Sequence, residues 1–483
     1  MTIVLTFIFN AGLNLVVGLA VAGVLGPVEY GRFAVASMLA IVLGTALFEW
    51  LRLSATRYIA EPGSRHTRVA SLEAGYVAIA VLLIGAALAA PAAGLGPGVI
   101  EIPIALVALV ATLNARFEMR GAEARALFMD RVYLRIVIAK NVLALVLMIG
   151  AAALLGSADW VLVMLGVSTA VACLFVRDPP GETRLSLSRA RGADLMLFAR
   201  YGFPIVGANL VYQVILLVNR SVGAHELGLA DAGRLALATD LTIRLLLSIG
   251  AALDAFLFQL AVRRRTEEGE EAGRRQLADN MLVVAGVLVF LGVGYAMAMP
   301  AIEALFVPEP YHGSFGTIGT ILIPGVIAFC FVQFGLNPIF QLAGRTTALL
   351  WTALAALALD LALLHLLVPF LGLPGIAIAH GAALVAGGLA AFVPALRMRP
   401  LWPARREILA VVLAGAAMAL AMWPLRALPS PWLALAAAGG AGTLAYAAVL
   451  VGLDVLGLRR RLGRIMRPGI GAPPAASPRP ELP

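Results

Sequence analysis

Charged residues are scarce in this 483-residue sequence. Aspartate, glutamate, lysine and arginine together make up 13% of it, whereas they make up about a quarter of a typical soluble domain. Hydrophobic residues account for 61% of the sequence, and the mean hydropathy is +0.95. This composition excludes an ordinary soluble protein and predicts an all-α polytopic membrane protein.

Lysine is nearly absent, because Lys140 is the one lysine among 36 basic residues. The isoelectric point of about 10.1 would suggest a nucleic-acid partner for a soluble protein, but here the arginines punctuate apolar runs. Arginine in such positions is typical of the cytoplasmic loops of membrane proteins, which carry an excess of positive charge. We therefore expect membrane lipid as a partner, and no nucleic acid.

Cysteine and histidine are too few and too scattered to predict a metal site or a disulfide framework. Cys173 and Cys330 are isolated in apolar surroundings, and the five histidines form no cluster. The sequence also has no Walker loop and no GxSxG elbow in a strand-turn-helix setting. We expect no metal, no cofactor and no enzymatic activity, and a membrane enzyme that uses buried acids is the weaker alternative.

Fourteen apolar runs are long enough to cross a bilayer, which takes about 20 residues of helix. They are residues 3–26, 32–60, 72–93, 99–121, 132–155, 158–176, 197–220, 232–262, 277–306, 316–341, 346–369, 374–396, 407–424 and 432–457. The loops between them alternate between arginine-rich and arginine-poor, and the poor set contains only Arg32, Arg234 and Arg426. This alternation places both termini in the cytoplasm.

A short internal repeat divides the chain. Residues 30–36 (YGRFAVA) resemble residues 232–238 (AGRLALA) at an offset of 202, and both copies follow a turn that contains glycine and an acid. Repeats of this kind are typical of transporters built from two related halves. We predict two pseudo-symmetric six-helix lobes, two extra transmembrane helices and a cytoplasmic tail that is first basic and then disordered. Their bounds are 1–195, 196–400, 401–457 and 458–483.

Ionisable side chains inside the predicted helices are candidate site residues, because each is costly at membrane depth unless it faces water or a partner. In the second helix, Glu49 and Arg52 are three residues apart and share a face. We predict that Arg52 faces a central cavity and is partly held by Glu49; a structural ion pair is the alternative. Arg57 is nearer the membrane boundary, where a long side chain can reach the headgroups.

The eighth helix supplies the second group of candidates. Asp240 and Arg244 are four residues apart and can pair, and we predict that Arg244 is a cavity cation. Arg220, at the end of the seventh helix, is expected either to gate the cavity or to anchor the helix. Asp254 takes the position of Arg52 after the 202-residue offset, so we predict that these two side chains pair across the lobes.

Other ionisable residues are expected to be structural. Arg116 and Glu118, near the inner end of the fourth helix, are expected at a solvated edge. Asp360 and His365 are five residues apart and do not share a helix face well. A core hydrogen bond is therefore favoured over a proton relay in the eleventh helix.

Three stretches of the sequence carry a family resemblance. Residues 14–42 contain a leucine–glycine–proline turn and then a tyrosine–glycine step, at Leu25, Gly26, Pro27, Tyr30 and Gly31. In residues 201–238, Asn219 and Arg220 stand where the family often has an aspartate–arginine pair. Residues 337–384 contain a glycine–arginine step, Gly344–Arg345, and a run from Pro369 to Ala379. Over about residues 10–400 the chain resembles the polysaccharide transporter (O-antigen/oligosaccharide flippase) branch of the multidrug/oligosaccharidyl-lipid/polysaccharide exporter superfamily.

The resemblance implies an inner-membrane flippase of a bacterium. Its substrate would be an isoprenoid-diphosphate-linked oligosaccharide, moved from the cytoplasmic to the periplasmic leaflet for polysaccharide or lipopolysaccharide biosynthesis. Two lobes facing one another in a V would give alternating access to a central cationic cavity, and other polysaccharide-assembly proteins are possible partners. Arginine suits the diphosphate because its planar fork can bind two phosphate oxygens.

Two alternatives within the same superfamily stay open. A multidrug or metabolite antiporter would be expected to have a more apolar and acidic cavity, which suits organic cations. A lipid II-type flippase follows the same physics, but this chain lacks the arginine-rich signature of that branch in its first helix.

Overall fold

The computed structural model describes residues 2–59, 65–94, 98, 101–175, 189–343 and 347–459. Several predicted features lie outside these residues, namely most of the loop after the sixth span, the Gly344–Arg345 step and the tail. Each of them stays a prediction.

The described residues contain α-helices joined by short turns, and no β-strand occurs among them. The helices are α1 (Thr2–Tyr58), α2 (Arg65–Ala89), α3 (Ile104–Ala126), α4 (Asp130–Leu155), α5 (Ala158–Leu174), α6 (Gly192–Val222), α7 (Leu229–Glu268), α8 (Glu270–Phe306), α9 (Ser314–Phe331), α10 (Asn337–Leu342), α11 (Thr347–Leu371), α12 (Leu373–Arg397), α13 (Arg405–Met422) and α14 (Pro431–Gly452).

A helix covers each of the fourteen predicted spans, although helices and spans do not correspond one to one. α1 carries two spans divided at Gly26, whereas α9 and α10 form a single span joined by a π-helical turn, Val332–Leu336. In the described part of the chain, ten helical spans are long and apolar enough to cross a membrane, and α6 passes as a bent pair. α5 falls short with 17 residues, and α3 carries several charges. The prediction of an all-α polytopic membrane protein is confirmed.

The internal repeat has a counterpart in the backbone. Gly26 interrupts α1 with φ 74° and ψ 171°, and Gly228, 202 residues later, precedes α7 with φ 96° and ψ 165°. A positive φ is costly for any residue that has a Cβ atom, so glycine suits both turns. The second arm of α1, residues 27–58, and α7 therefore begin in the same way.

The second arm of α1 touches α7 at a pair of glycines. A Cβ atom on Gly31 would lie 2.0 Å from the carbonyl oxygen of Leu229, and one on Gly233 would lie 2.1 Å from that of Pro27. Neither position has room for a side chain, so the two backbones are in direct contact, as at other small-residue crossings of membrane helices. Because Gly31 and Gly233 are also 202 residues apart, this contact lies on the axis that relates the two repeats.

Equivalent ion pairs flank the glycine contact. Nη1 of Arg32 lies 3.0 Å from Oε1 of Glu29, and Nη1 of Arg234 lies 2.8 Å from Oδ1 of Asp231. Each pair joins residues three apart near the start of its helix, where an acid also interacts favourably with the helix dipole. The predicted repeat is thus present in backbone geometry, packing and charge.

α6 is bent by 60° at residues 204–205, and its two parts contact different halves of the chain. Before the bend, a Cβ atom on Gly202 would lie 2.6 Å from Cβ of Trp50 in α1. After the bend, a Cβ atom on Gly207 would lie 3.2 Å from a methyl carbon of Leu350 in α11. α6 therefore joins the N-terminal half (α1–α5) to the C-terminal half (α6–α12).

The last two helices pack on α8. The hydroxyl of Tyr446 in α14 donates a hydrogen bond of 2.7 Å to the carbonyl oxygen of Gly286. A Cβ atom on Gly415 in α13 would lie 2.7 Å from Cγ1 of Val289, so these two helices also approach closely. α13 and α14 therefore extend the C-terminal half at α8.

Replacing Gly31 with alanine should force the second arm of α1 away from α7, because the new methyl group would overlap the Leu229 carbonyl. We expect the free energy of unfolding to fall by about 1–3 kcal/mol, the usual cost of overpacking. Thermal unfolding in detergent measures this. Gly150→Ala is the matched control, since a Cβ atom there meets nothing within 4 Å; equal stability of the two variants would contradict the close contact.

Candidate functional site

A cavity of about 370 Å³ lies between α1, α3, α4 and α7, with α5 contributing to one wall. Four of the six predicted site residues line it: Glu49, Arg52, Asp240 and Arg244. The wall also carries two further charged residues and four aromatic rings, namely Glu118, Lys140, Tyr30, Phe33, Phe48 and Phe117. The cavity therefore combines charge, aromatic surface and small polar groups within one space.

Arg52 and Glu49 form a two-bonded pair on the cavity wall. Nε of Arg52 donates to Oε2 of Glu49 at 2.7 Å, and Nη2 donates to the other carboxylate oxygen. The side chains are 25% and 19% exposed, so neither is withdrawn from the cavity. The structure brings the pair together as predicted, and contact between Arg52 and a substrate stays a prediction.

Asp240 and Arg244 enter the cavity from α7, in the C-terminal half. Oδ2 of Asp240 lies 3.8 Å from Nη2 of Arg244, one helical turn away, so the predicted pair is present but loose. The Arg244 side chain is 45% exposed. A guanidinium held this loosely keeps donors available for an anion in the lumen.

Arg220 lies behind the cavity wall. It was predicted as a cavity residue, but it is not among the residues that line the cavity. It is buried, and its Nη2 donates to Oδ1 of Asp240, while its Nη1 donates to the carbonyl oxygen of Ala34 at 3.0 Å. Ala34 lies in the second arm of α1, so Arg220 ties the two halves together. Both predicted roles, gate and anchor, fit this geometry, and a direct substrate contact does not.

A second contact between the halves lies near Gly26. The hydroxyl of Tyr311, in the turn between α8 and α9, donates to the carbonyl oxygen of Ala22 at 3.2 Å. Its ring meets Tyr30 edge to face, with centroids 6.1 Å apart. Together with the Arg220 bond, this contact joins the two halves near the glycine turns.

The predicted pair between Arg52 and Asp254 is wrong. Arg52 is bound to Glu49, and Asp254 takes part in no ion pair within the described residues. The two repeats touch at Gly31 and Gly233, and Arg52 and Asp254 each lie 21 residues further along, about 32 Å away in a helix. Equivalent positions that far from the axis need not meet.

Lys140 lines the cavity but was not among the site residues predicted from the sequence. It lies in α4, and its ammonium nitrogen is 5.6 Å from the centre of the Phe117 ring, close enough for a cation–π contact. The signal was present, because a single lysine in the middle of an apolar helix is costly at membrane depth. Lys140 has no acid one helical turn away. Helical spacing therefore predicts no pair for it, whereas it does predict the pairs on α1 and α7.

The prediction that Arg116 and Glu118 lie at a solvated edge is also wrong. Nη1 of Arg116 pairs with Oε2 of buried Glu73 in α2, and the guanidinium lies 5.2 Å from the centre of the Tyr76 ring. Glu118, on the other face of α3, lines the cavity. Residues two apart in a helix point in different directions, so one charge packs inside the N-terminal half and the other faces the lumen.

A buried polar pair lies apart from the cavity in the C-terminal half. Nδ2 of Asn219 in α6 donates to Oδ2 of Asp360 in α11 at 2.9 Å, and both residues are buried. His365 is exposed, so it does not join them. The expected core hydrogen bond of Asp360 is present, although its partner comes from another helix.

The backbone resembles those of solved membrane transporters. A structure described as "Lipid II flippase MurJ, inward closed conformation" aligns with 95% of this chain and 99% of its own, with a TM-score of 0.70 and 13% sequence identity. A structure of a MATE protein in complex with MaL6 aligns with 83% of this chain and 94% of its own, with a TM-score of 0.53 and 17% identity. No protein-family model and no curated protein matches the sequence. At these identities the comparison establishes a shared fold, that of multi-pass flippases and transporters.

Replacing Arg220 with glutamine would remove the donor to Ala34 and leave Asp240 without its closest cation. We expect the free energy of unfolding to fall by about 3 kcal/mol, the lower end for breaking a buried pair, because Asp240 is 22% exposed. Adding Asp240→Asn removes the orphaned charge, so the double variant should be more stable than Arg220→Gln alone. Thermal unfolding in detergent measures both effects.

The control for this pair is Arg263→Gln, which removes an exposed cation bound to Glu267. Exposed pairs contribute little, so its stability should stay within about 0.5 kcal/mol of the wild type. If the losses from Arg220→Gln and Asp240→Asn simply add, the two side chains do not act as one unit.

Proposed function

We propose that this protein is a flippase that moves an isoprenoid-diphosphate-linked oligosaccharide across the bacterial inner membrane, from the cytoplasmic to the periplasmic leaflet. The product would serve polysaccharide or lipopolysaccharide assembly, such as that of O-antigen. The observation that carries the proposal is the charged cavity, to which α1, α4 and α7 each contribute a cation. The protein acts in this proposal as a carrier and not as an enzyme.

The charge balance of the cavity supports an anionic substrate. Three cations and three carboxylates line it, but Asp240 is also bound from behind by Arg220. Counting Arg220, four cations face three carboxylates. In a medium of low dielectric constant an excess of one positive charge favours an anion strongly, and a diphosphate offers several oxygens to the guanidinium donors.

The rest of the wall supports a sugar. Four aromatic rings line the cavity, and the flat face of an aromatic ring can pack against the apolar face of a sugar. Four small polar side chains alternate with them and offer hydrogen bonds to hydroxyl groups, namely Asn14, Ser37, Thr45 and Asn114.

The size of the cavity supports alternating access. Its volume of about 370 Å³ lies near the lower end of the roughly 300–1,000 Å³ usual for small-ligand pockets. An oligosaccharide of several units therefore requires the helices to separate, while the isoprenoid tail stays in the bilayer. We propose that the lobes 1–195 and 196–400 are the moving units, that residues 401–457 stay with the second lobe, and that both termini face the cytoplasm.

The fold supports this class of substrate as well. The structure that resembles this chain over nearly its whole length is described as a lipid II flippase. The similar MATE structure keeps a drug or metabolite antiporter as the alternative. The acids Glu49, Glu118 and Asp240 on the cavity wall are the feature that would suit an organic cation.

Transport in proteoliposomes tests the proposal. We expect the wild type to flip an undecaprenyl-diphosphate oligosaccharide, and Arg52→Ala and Arg244→Ala each to reduce the rate at least tenfold, because each removes a cation from the lumen. Arg263→Gln, outside the cavity, is the control and should flip at the wild-type rate. Wild-type protein that moves organic cations and no lipid diphosphate would favour the antiporter, and two fully active arginine variants would refute the site assignment.

A further inference from the structure

Lys140 is a cavity cation without a carboxylate partner. It lies ten residues into α4, about 15 Å from the start of the helix. Its ammonium group contacts the Phe117 ring and forms no ion pair within the residues that the structure describes. An ammonium group at this depth is costly unless water or an anion compensates its charge. Its position on the wall of a cavity points to an anion.

Two of the three carboxylates on the cavity wall are paired with arginines. Asp240 is shared between Arg220 and Arg244, and the arginine on the second arm of α1 has its own carboxylate one turn away. Glu118 acts electrostatically on Lys140 but does not form an ion pair with it. Lys140 therefore provides a positive charge on the cavity wall that no carboxylate contacts directly within the described residues.

Lys140 and Arg244 reach the same lumen from opposite halves of the molecule. Lys140 belongs to α4 in the N-terminal half, and Arg244 belongs to α7 in the C-terminal half. Their like charges act on each other and repel while the cavity is empty. An anion between them would attract both, and a diphosphate can present oxygen atoms to both sides at once. Arginine offers a planar fork to phosphate, whereas lysine offers a compact charge with three donors.

We propose that Lys140 and Arg244 form a clamp for the diphosphate of the lipid-linked substrate, one side chain from each half of the molecule. The clamp rests on the proposed function, because it assigns the diphosphate of that substrate to a place in the cavity. Bound diphosphate turns a repulsion between α4 and α7 into a bridge. The substrate itself then holds the two halves together around it.

Binding of farnesyl diphosphate to the full-length protein in detergent, measured by calorimetry, tests the clamp. Lys140→Met keeps an unbranched side chain only one heavy atom shorter and removes its charge, and we expect it to weaken binding at least tenfold. Lys140→Arg keeps the charge and should bind within about threefold of the wild type. Arg263→Gln, which removes an exposed cation outside the cavity, should bind as the wild type does.

The stability of the ligand-free protein separates a binding role from a structural one. A cation that forms no ion pair at this depth is unfavourable in the ligand-free protein, so Lys140→Met should melt at or above the wild-type temperature while it loses affinity. If Lys140 stabilised the fold instead, Lys140→Met would melt at a lower temperature than the wild type. A lower melting temperature with unchanged affinity would overturn the clamp.

A double-mutant cycle tests whether the two side chains act together. If one diphosphate bridges Lys140 and Arg244, either single change to methionine breaks the bridge, and the second change should cost less than threefold more. Losses that multiply would show two independent contacts and would refute the clamp. Farnesyl monophosphate, which is shorter by one phosphate, should lose less affinity than the diphosphate in Lys140→Met.

Failure of the clamp and failure of the proposed function give different results. If Lys140→Met binds farnesyl diphosphate as tightly as the wild type while Arg52→Met and Arg244→Met lose affinity, the clamp is wrong and the flippase proposal stands. If the wild type binds neither farnesyl diphosphate nor inorganic diphosphate, the proposed function itself fails.

Discussion

A charge inside a membrane is costly unless it has a partner, and the polar interior of this protein follows from that constraint. Arg116 is paired with Glu73 inside the N-terminal half, and Asn219 is bonded to Asp360 inside the C-terminal half. Each of these contacts lies within one half of the chain and away from the cavity. The cavity is different, because its charges come from both halves and Lys140 forms no ion pair there within the described residues. We therefore place the function at the cavity.

The direct contact between Gly31 and Gly233 determines what the cavity can do. It fixes the second arm of α1 against α7 at one end, where Arg220 adds a bond between the halves. Further along, the same two helices carry Arg52 and Arg244 on the cavity wall. One pair of helices thus joins the two halves at the glycine contact and supplies two of the cations on the cavity wall. Movement at the glycine contact would therefore change both access and charge geometry together.

Local patterns could be predicted from the sequence, and contacts between distant segments could not. The fourteen spans and the pairs Glu49–Arg52 and Asp240–Arg244 follow from apolar run length and helical spacing, both of which are local. The bond from Arg220 to the Ala34 carbonyl joins residues 186 apart, and no local pattern in the sequence specifies such a contact. The same limit explains why pseudo-symmetry alone misplaced the partner of Arg52, since an equivalent position need not be a neighbouring one. Lys140 could have been recognised from its isolation in an apolar helix.

The presence of one lysine in 483 residues makes the decisive measurement unusually direct. Protein grown on lysine labelled with ¹³C at the ε carbon gives a single side-chain resonance by NMR, that of Lys140. Titration with farnesyl diphosphate should shift this resonance with the same saturation as binding, and farnesol, which lacks the phosphates, should leave it in place. A resonance that does not move while the diphosphate binds would place the ligand elsewhere and contradict a phosphate-binding cavity at Lys140.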